Sequence, residues 1–352
     1  MLDPSRFPAS PGPDHPGGHA PESSAAQPPP VGTAALRQAV WRAEVLAGRL
    51  PVRAAEVAWV AWHNRLRIPE HYLALIDEPG DAIGRQAVPA LEELIPDGLP
   101  EDPLAEDDPA HSPVPHLTHR YPDRALLLVT DLCPMFCRFC MRKRKTLRGA
   151  GITTAGIFRG IEYIRATPAI REVILSGGDP LMLPDRLLGR ILGELGGIAH
   201  LNHVRLHTRM PCVEPARVTD ALARVLGSTL PRERPLWMAV HFNHPREVTP
   251  AAARALRRLA QAGIPLNNQA VLLRGVNDDP AVLASLYRHL LRLGVHPYYL
   301  HHADQLPGTE HFRLPVREGM AIVARLRALA PELAMLHYVL DTPGGGGKVP
   351  LA

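Results

Sequence analysis

From about His119 onward the chain alternates short β-rich runs with helical patterns, and this alternation limits its fold more than any other feature. The runs are RALLLVT, EVILSG, HVRLHTR, LWMAVHF, NNQAVLL, HPYYLHHA and MLHYVLD, separated by segments such as DRLLGRILGELGG and AAARALRRLAQAG. Strands joined through helices lie parallel in one sheet, with the helices covering its faces. Six or seven such units in roughly 235 residues predict an α/β fold, a partial (β/α)6-type barrel smaller than the eight-unit barrel of roughly 250 residues. Polar residues crowd the C-terminal ends of the runs (Asp131, Ser176, Thr208, Arg209, His241, Gln269, Asp304 and Asp341), the end where barrel active sites lie.

Upstream of the barrel the composition changes twice. Residues 1–34 are rich in Pro, Gly, Ala and Ser, so ordering them buries too little to offset their entropy, and a disordered tail is expected. Over 35–115 the spacing of Leu36, Val40, Val45, Leu46, Val57 and Val60 suits an N-terminal helical region. The acidic, Pro-punctuated LIPDGLPEDPLAEDDPAHSPVP then reads as a linker that wraps the main domain, 116–352. A formal charge of +4 is too mild to argue for nucleic acid or an anionic membrane. The N-terminus has no apolar signal core, and no run reaches the roughly 18 uncharged apolar residues of a membrane span. A cytoplasmic protein is expected.

Three of the four cysteines, Cys133, Cys137 and Cys140, fall in VTDLCPMFCRFCMRKR, directly after the first barrel strand. Such crowding suits soft-metal ligation better than a disulfide framework. Thiolates are the usual ligands of iron-sulfur clusters, and three of them leave one iron of a cubane without a protein ligand. A zinc site completed by histidine would normally need a second C-x2-C-like half, and the sequence has none. Cys212 stands alone in RMPCVEP and reads as a partly buried free thiol. The C-x3-C-x2-C spacing resembles that of radical S-adenosylmethionine (SAM) enzymes, in which the free iron binds SAM and one electron splits its sulfonium. One β/α unit later, SGGDP (Ser176, Gly177, Gly178, Asp179 and Pro180) resembles the motif that contacts the methionyl amino group in that superfamily.

The chain ends HYVLDTPGGGGKVPLA. Four glycines predict a backbone too flexible for helix or strand, on which Lys348 could swing into a site and form a Schiff base. A solvated tail with an incidental lysine is the bland alternative.

From about Ile68 to Pro350 the sequence resembles the lysine 2,3-aminomutase family. The resemblance is carried in order by SPVPHLTHRYPDRALLLVTDLC, CRFCMRKR, ILSGGDPL, VHFNHPREVT, NNQAVLLRGVND, PYYLHHAD, EHFR and DTPGGGGK. It implies a 4Fe-4S cluster on the three cysteines, SAM, and pyridoxal 5'-phosphate (PLP) on Lys348. It further implies Arg120 and Arg124 beside the PLP phosphate, Arg142 on the substrate α-carboxylate, and His241 and Gln269 in the SAM pocket. Asp304 and Asp341 match the pair that grips the ε-ammonium of lysine. The implied reaction removes a β-hydrogen as an atom and moves the amino group from C2 to C3, with a reductant such as flavodoxin or ferredoxin supplying the electron. Other expectations compatible with the pattern are a mutase for arginine or another cationic amino acid, a supplier of β-lysine for modification of a translation factor, and an iron-sulfur carrier without mutase activity.

Departures from the family touch the cofactor contacts and the assembly. Phe139 stands where histidine is frequent, and His301 occupies a tyrosine position. The sequence ends four residues after Lys348, and NDD replaces a block that carries a zinc cysteine in clostridial members, so any homo-oligomer is expected to lack their zinc bridge.

Overall fold

The computed structural model describes residues 39–147, 151–342 and 347–352; the expected tail, residues 1–34, lies outside them. The seven runs all form strands: β2 (Arg124–Thr130), β3 (Glu172–Gly177), β4 (His203–Thr208), β5 (Leu236–Val240), β6 (Leu266–Leu272), β7 (Val295–His302) and β8 (His337–Thr342). Each is parallel to the next, and the six crossovers carry helices Thr154–Arg165, Asp185–Gly196, Asp220–Ser228, Pro250–Gln261, Pro280–Leu291 and Val316–Leu329. The expected partial (β/α)6 barrel is therefore present, with a seventh parallel strand.

Local chemistry explains where these helices begin. Thr153, Thr219, Thr249 and Asp279 each accept a hydrogen bond from a first-turn amide, and Pro250 and Pro280 follow two of these caps at a position where no N–H is needed. Their apolar stripes face the sheet, as with Leu188, Ile191, Leu192 and Leu195 on Asp185–Gly196. The strands alternate beneath them: Val173, Leu175, Val204 and Leu206 are buried toward the helices, whereas Ile174, Ser176 and His207 line the barrel interior.

Two short strands were not legible in the sequence. β1 (Leu117–Tyr121) runs antiparallel to β2, and β9 (Gly347–Pro350) antiparallel to β8, giving one nine-stranded sheet in the order β1 to β9. β9 corrects the expectation that the backbone around Lys348 could not be a strand. Gly347 adopts φ +75°, and a Cβ there would lie 2.8 Å from the Tyr121 ring, so glycine permits the chain to turn in beside β1 and pair with β8. Across this gap Arg120 Nη2 donates to the Thr342 backbone carbonyl at 3.4 Å, a side-chain-to-backbone bond that joins β1 to β8.

Helices Ala43–Ala47 and Ala54–His63 open the described N-terminal region, and Leu46, Val57, Ile68 and Tyr72 share one apolar core with the barrel. The polar connections are equally close. Arg138, beside Cys137, donates 2.8 and 2.6 Å hydrogen bonds to both carboxylate oxygens of Glu93 and also binds the Asn64 and Arg65 carbonyls. Arg67 donates to the Cys133 carbonyl, and the amides of Phe136 and Arg138 reach the carbonyls of Arg67 and Gln86. The cysteine loop is thus held from outside the barrel by the lead-in. No helix among the described residues is long and apolar enough to cross a membrane.

Candidate active site

Cys133, Cys137, Cys140, Ser176, Gly177, Gly178, Asp179, His241, Gln269, Arg120, Arg124, Arg142, Asp304, Asp341 and Lys348 all line one cavity of about 320 Å³ at the C-terminal mouth of the barrel, whereas Asp131 and Pro180 do not. Parallel strands cause this convergence, because all their C-terminal loops emerge on the same side.

Cys133, Cys137 and Cys140 form one wall of the cavity. Burial pushes the Cys133 thiol well above its ordinary value and Cys140 to about 11, and repulsion among the three adds to both shifts. Desolvated sulfurs that would repel one another once ionised are stabilised as thiolates by a metal charge, so the donor set fits an iron-sulfur cluster. Among the described residues no three His, Cys, Asp or Glu side chains are placed to hold a single metal ion. Arg209 Nη1 donates to Cys137 Sγ at 2.9 Å, and Nη2 binds Gln86 at 2.7 Å and Glu247 at 2.8 Å. Tyr72 donates to the same Glu247 oxygen at 2.7 Å. This buried network ties lead-in, β4 and cysteine loop together; in the sequence only the strand-end position of Arg209 hinted at it.

The SGGDP turn lies directly against the cysteine loop. Gly178 N donates to Thr130 O at 2.6 Å and Asp179 N to Leu132 O at 2.8 Å. Gly177 has φ +116°, and an added Cβ at Gly177 or Gly178 would overlap the carbonyl of Thr130 or Leu132. The two glycines therefore set how closely the turn approaches the loop. The Asp179 carboxylate is internally engaged, accepting from Thr208 Oγ1 at 2.8 and 2.9 Å, Arg209 N at 2.8 Å and Leu181 N at 3.0 Å. It acts here as a brace between β3 and β4. His241 reaches Asn243 Oδ1 at 3.1 Å and packs 5.6 Å from Phe139, ring to ring; Gln269 faces the same wall. Cys212 is fully buried rather than partly so, because the short helix Met210–Val213 carries it into the core.

Lys348 and Asp341 are direct cross-strand partners, and Lys348 Nζ donates to Asp341 Oδ2 at 2.7 Å. Arg120 approaches the other Asp341 oxygen at 3.9 Å. Burial, then the neighbouring Asp341 charge, pushes the Asp304 carboxyl up to about 7. His301 is pushed down to about 3 and His207 well below its ordinary value, chiefly by burial, so both imidazoles are neutral. Arg120 Nε, Asp341 Oδ1, Thr118 Oγ1 and His207 Nε2 are buried without a hydrogen-bond partner. Among these, the orphaned donor of Arg120 beside Lys348 suits an anionic group such as the phosphate of PLP. Arg124 lines the same space, although Asp123 holds its Nε and Nη2 at 3.0 Å each.

The basic run after Cys140 is not a free solvated loop. Arg142 donates to Glu106 at 2.7 and 3.3 Å, Arg144 pairs with Asp102 at 2.8 Å, and Lys145 with Asp107 at 2.9 Å. Glu106 itself lines the cavity. It was read only as part of a linker, and the available signal was the match between an acidic run and a basic run far apart in the chain.

A thiol triad, a glycine turn and a lysine-carboxylate hairpin around one barrel mouth are what the comparisons with known proteins explain. The Radical SAM superfamily model matches residues 127–286. L-lysine 2,3-aminomutase of Clostridium subterminale is 45% identical over 291 residues, covering 82% of this chain and 68% of the relative. The chain belongs to the lysine 2,3-aminomutase family. The L-lysine 2,3-aminomutase of Escherichia coli (strain K12) is 37% identical over 290 residues, covering 81% of this chain and 83% of the relative. The glutamate 2,3-aminomutase of Clostridioides difficile (strain 630) is 39% identical over 290 residues, covering 82% and 67%. The chain is thus a radical SAM aminomutase, an isomerase whose family uses a 4Fe-4S cluster and SAM, and membership alone leaves lysine and glutamate both in play.

Because an added Cβ at Gly178 would collide with the Leu132 carbonyl, Gly178→Ala is expected to push the cysteine loop outward. After anaerobic reconstitution its affinity for SAM should fall about tenfold or more, the equivalent of one charge-assisted contact. Gly80→Ala, with nothing within 4 Å of the added carbon, should behave as the parent in the same equilibrium-dialysis measurement.

Proposed function

We propose that the chain is a lysine 2,3-aminomutase that converts L-lysine to β-lysine with a 4Fe-4S cluster, SAM and PLP. The observation that carries the choice of substrate is the Asp304/Asp341 pair, because Asp341 accepts a primary ammonium, that of Lys348, at 2.7 Å. The raised Asp304 value expresses the cost of two carboxylates in one desolvated corner. A lysine side chain brings the cation that relieves this repulsion, whereas the carboxylate of glutamate would add a third negative charge.

When bound, the cluster and SAM supply the radical that removes a hydrogen atom from C3, and PLP carries the migrating nitrogen. The chain's own residues hold and orient. Cys133, Cys137 and Cys140 would ligate the cluster. Ser176, Gly177, Gly178 and Asp179, with His241 and Gln269, would border SAM. Arg120 and Arg124 would face the PLP phosphate, a task suited to guanidinium forks. Lys348 would carry PLP, and Arg142 would receive the α-carboxylate. The substrate would then be held at its carboxylate by Arg142 and at its ammonium by the aspartates, which limits where C3 can lie. Phe139, Ala239 and Val271 line the same cavity and restrict water around a reactive radical. Neutral His207 and His301 add no charge that would compete with the aspartates. A small one-electron carrier such as flavodoxin or ferredoxin would supply the electron.

The test is product analysis. The anaerobically reconstituted enzyme with SAM, PLP and reductant should give β-lysine from L-lysine and no β-glutamate from L-glutamate; the reverse preference, or no β-amino product from lysine, arginine, ornithine or glutamate, overturns the proposal.

Binding should also report the acidic pair through pH. Asp304 titrates at about 7 while the lysine side chain, near 10.4 in water, stays protonated. Lysine affinity should therefore fall as pH drops below about 7 and level off above it. Asp304→Asn should weaken binding at high pH and flatten this dependence, as read by calorimetry on the loaded enzyme without reductant.

A further inference from the structure

The closest ion pair in the site that the assigned roles leave unused joins Glu106 to Arg142. Glu106 is 3% exposed yet borders the cavity, and its neighbours are cationic: Arg142 at 2.7 Å, Arg144 at 3.7 Å and Lys145 at 3.9 Å. These cations, Arg142 foremost, hold its carboxyl below the ordinary value against the effect of burial. Glu106 is therefore an anion.

The directions of the hydrogen bonds matter more than the charge. A guanidinium presents five N–H groups in a rigid plane, arranged as two forks. Glu106 accepts from Nε at 3.3 Å and from Nη2 at 2.7 Å, so it occupies the fork on the Nε side. The second fork, made by Nη1 and the remaining Nη2 hydrogen, points away from Glu106. Both residues line the cavity, and a carboxylate bound at the second fork would meet two parallel donors, the bidentate arrangement that arginine forms best. Without the Glu106 contact the Arg142 side chain would lose the partner that fixes its plane.

We propose that Glu106 is a positioning residue for recognition of the substrate α-carboxylate: by holding the Nε edge of Arg142 it turns the opposite fork toward the substrate. This rests on the role of Arg142 given above, and extends the site to a residue of the acidic linker that precedes the barrel. Glu106 contributes orientation, and repels a substrate carboxylate bound anywhere but on the far edge of Arg142.

The test compares L-lysine with L-lysinamide, which keeps the α-amino group and side chain but has no anionic carboxylate. Equilibrium dialysis is run on the enzyme loaded with cluster, SAM and PLP, without reductant. Parent enzyme should bind lysine well and lysinamide poorly. Glu106→Ala should weaken lysine about tenfold or more, the scale of a charge-assisted hydrogen bond, and leave lysinamide within about twofold. Glu106→Gln, which retains one acceptor of similar reach, should fall between. Asp107→Asn, which removes a charge of the same segment without touching Arg142, should bind as the parent does. Equal discrimination in the parent and in both Glu106 variants, or an equal loss of both ligands, overturns the inference while leaving the role of Arg142 standing. A parent enzyme that does not discriminate lysine from lysinamide removes the role of Arg142 and this inference together.

Discussion

The pairing of β9 back onto β8 is the contact on which the site depends. It places Lys348 opposite Asp341 in an antiparallel register and sets both in the cavity that the cysteine loop also lines. Directly opposed residues in such a pair have Cβ atoms roughly 5 Å apart, close enough for an ammonium and a carboxylate to meet without strain. A lysine on a free tail would have no fixed place and would have to be ordered at an entropic cost. Here backbone hydrogen bonds have already done so.

A second consequence is the density of charge along the cavity. Arg142, paired with Glu106, lies within electrostatic reach of Asp304, and Asp341 is held by Lys348 and Arg120, while the neutral His207 and His301 add no charge of their own. Low local polarity strengthens each of these interactions, and also makes the absence of a partner costly. The unpartnered polar atoms of Arg120, Asp341, Thr118 and His207 belong to that same lining.

Much of this was legible in the sequence because it is carried by local pattern. Seven parallel strands announced themselves by short β-rich runs between amphipathic helices, and the cysteines by their spacing. β1 and β9 did not, since LTHRY is largely polar and the segment around Gly347 looks like a flexible tail; both are strands because an edge of the sheet was available to them. Glu106, Glu93 and the Arg209 network were hidden for a related reason. Their partners lie tens of residues away, and a buried carboxylate looks in sequence like any other acidic residue of a linker. Spacing reveals ligands that sit together, and the fold alone reveals the groups that orient them.

The chain contains only three lysines, Lys143, Lys145 and Lys348, which makes the central claim directly measurable. Lys143 binds the Pro307 carbonyl and Lys145 binds Asp107, whereas Lys348 alone among them lines the cavity. Borohydride reduction of the PLP-loaded protein, followed by peptide mass mapping, should place the phosphopyridoxyl label on Lys348 when no amino acid is present. Added L-lysine should divert that label from the protein to the free amino acid. A label on Lys143 or Lys145, or a protein that retains none, would contradict the account.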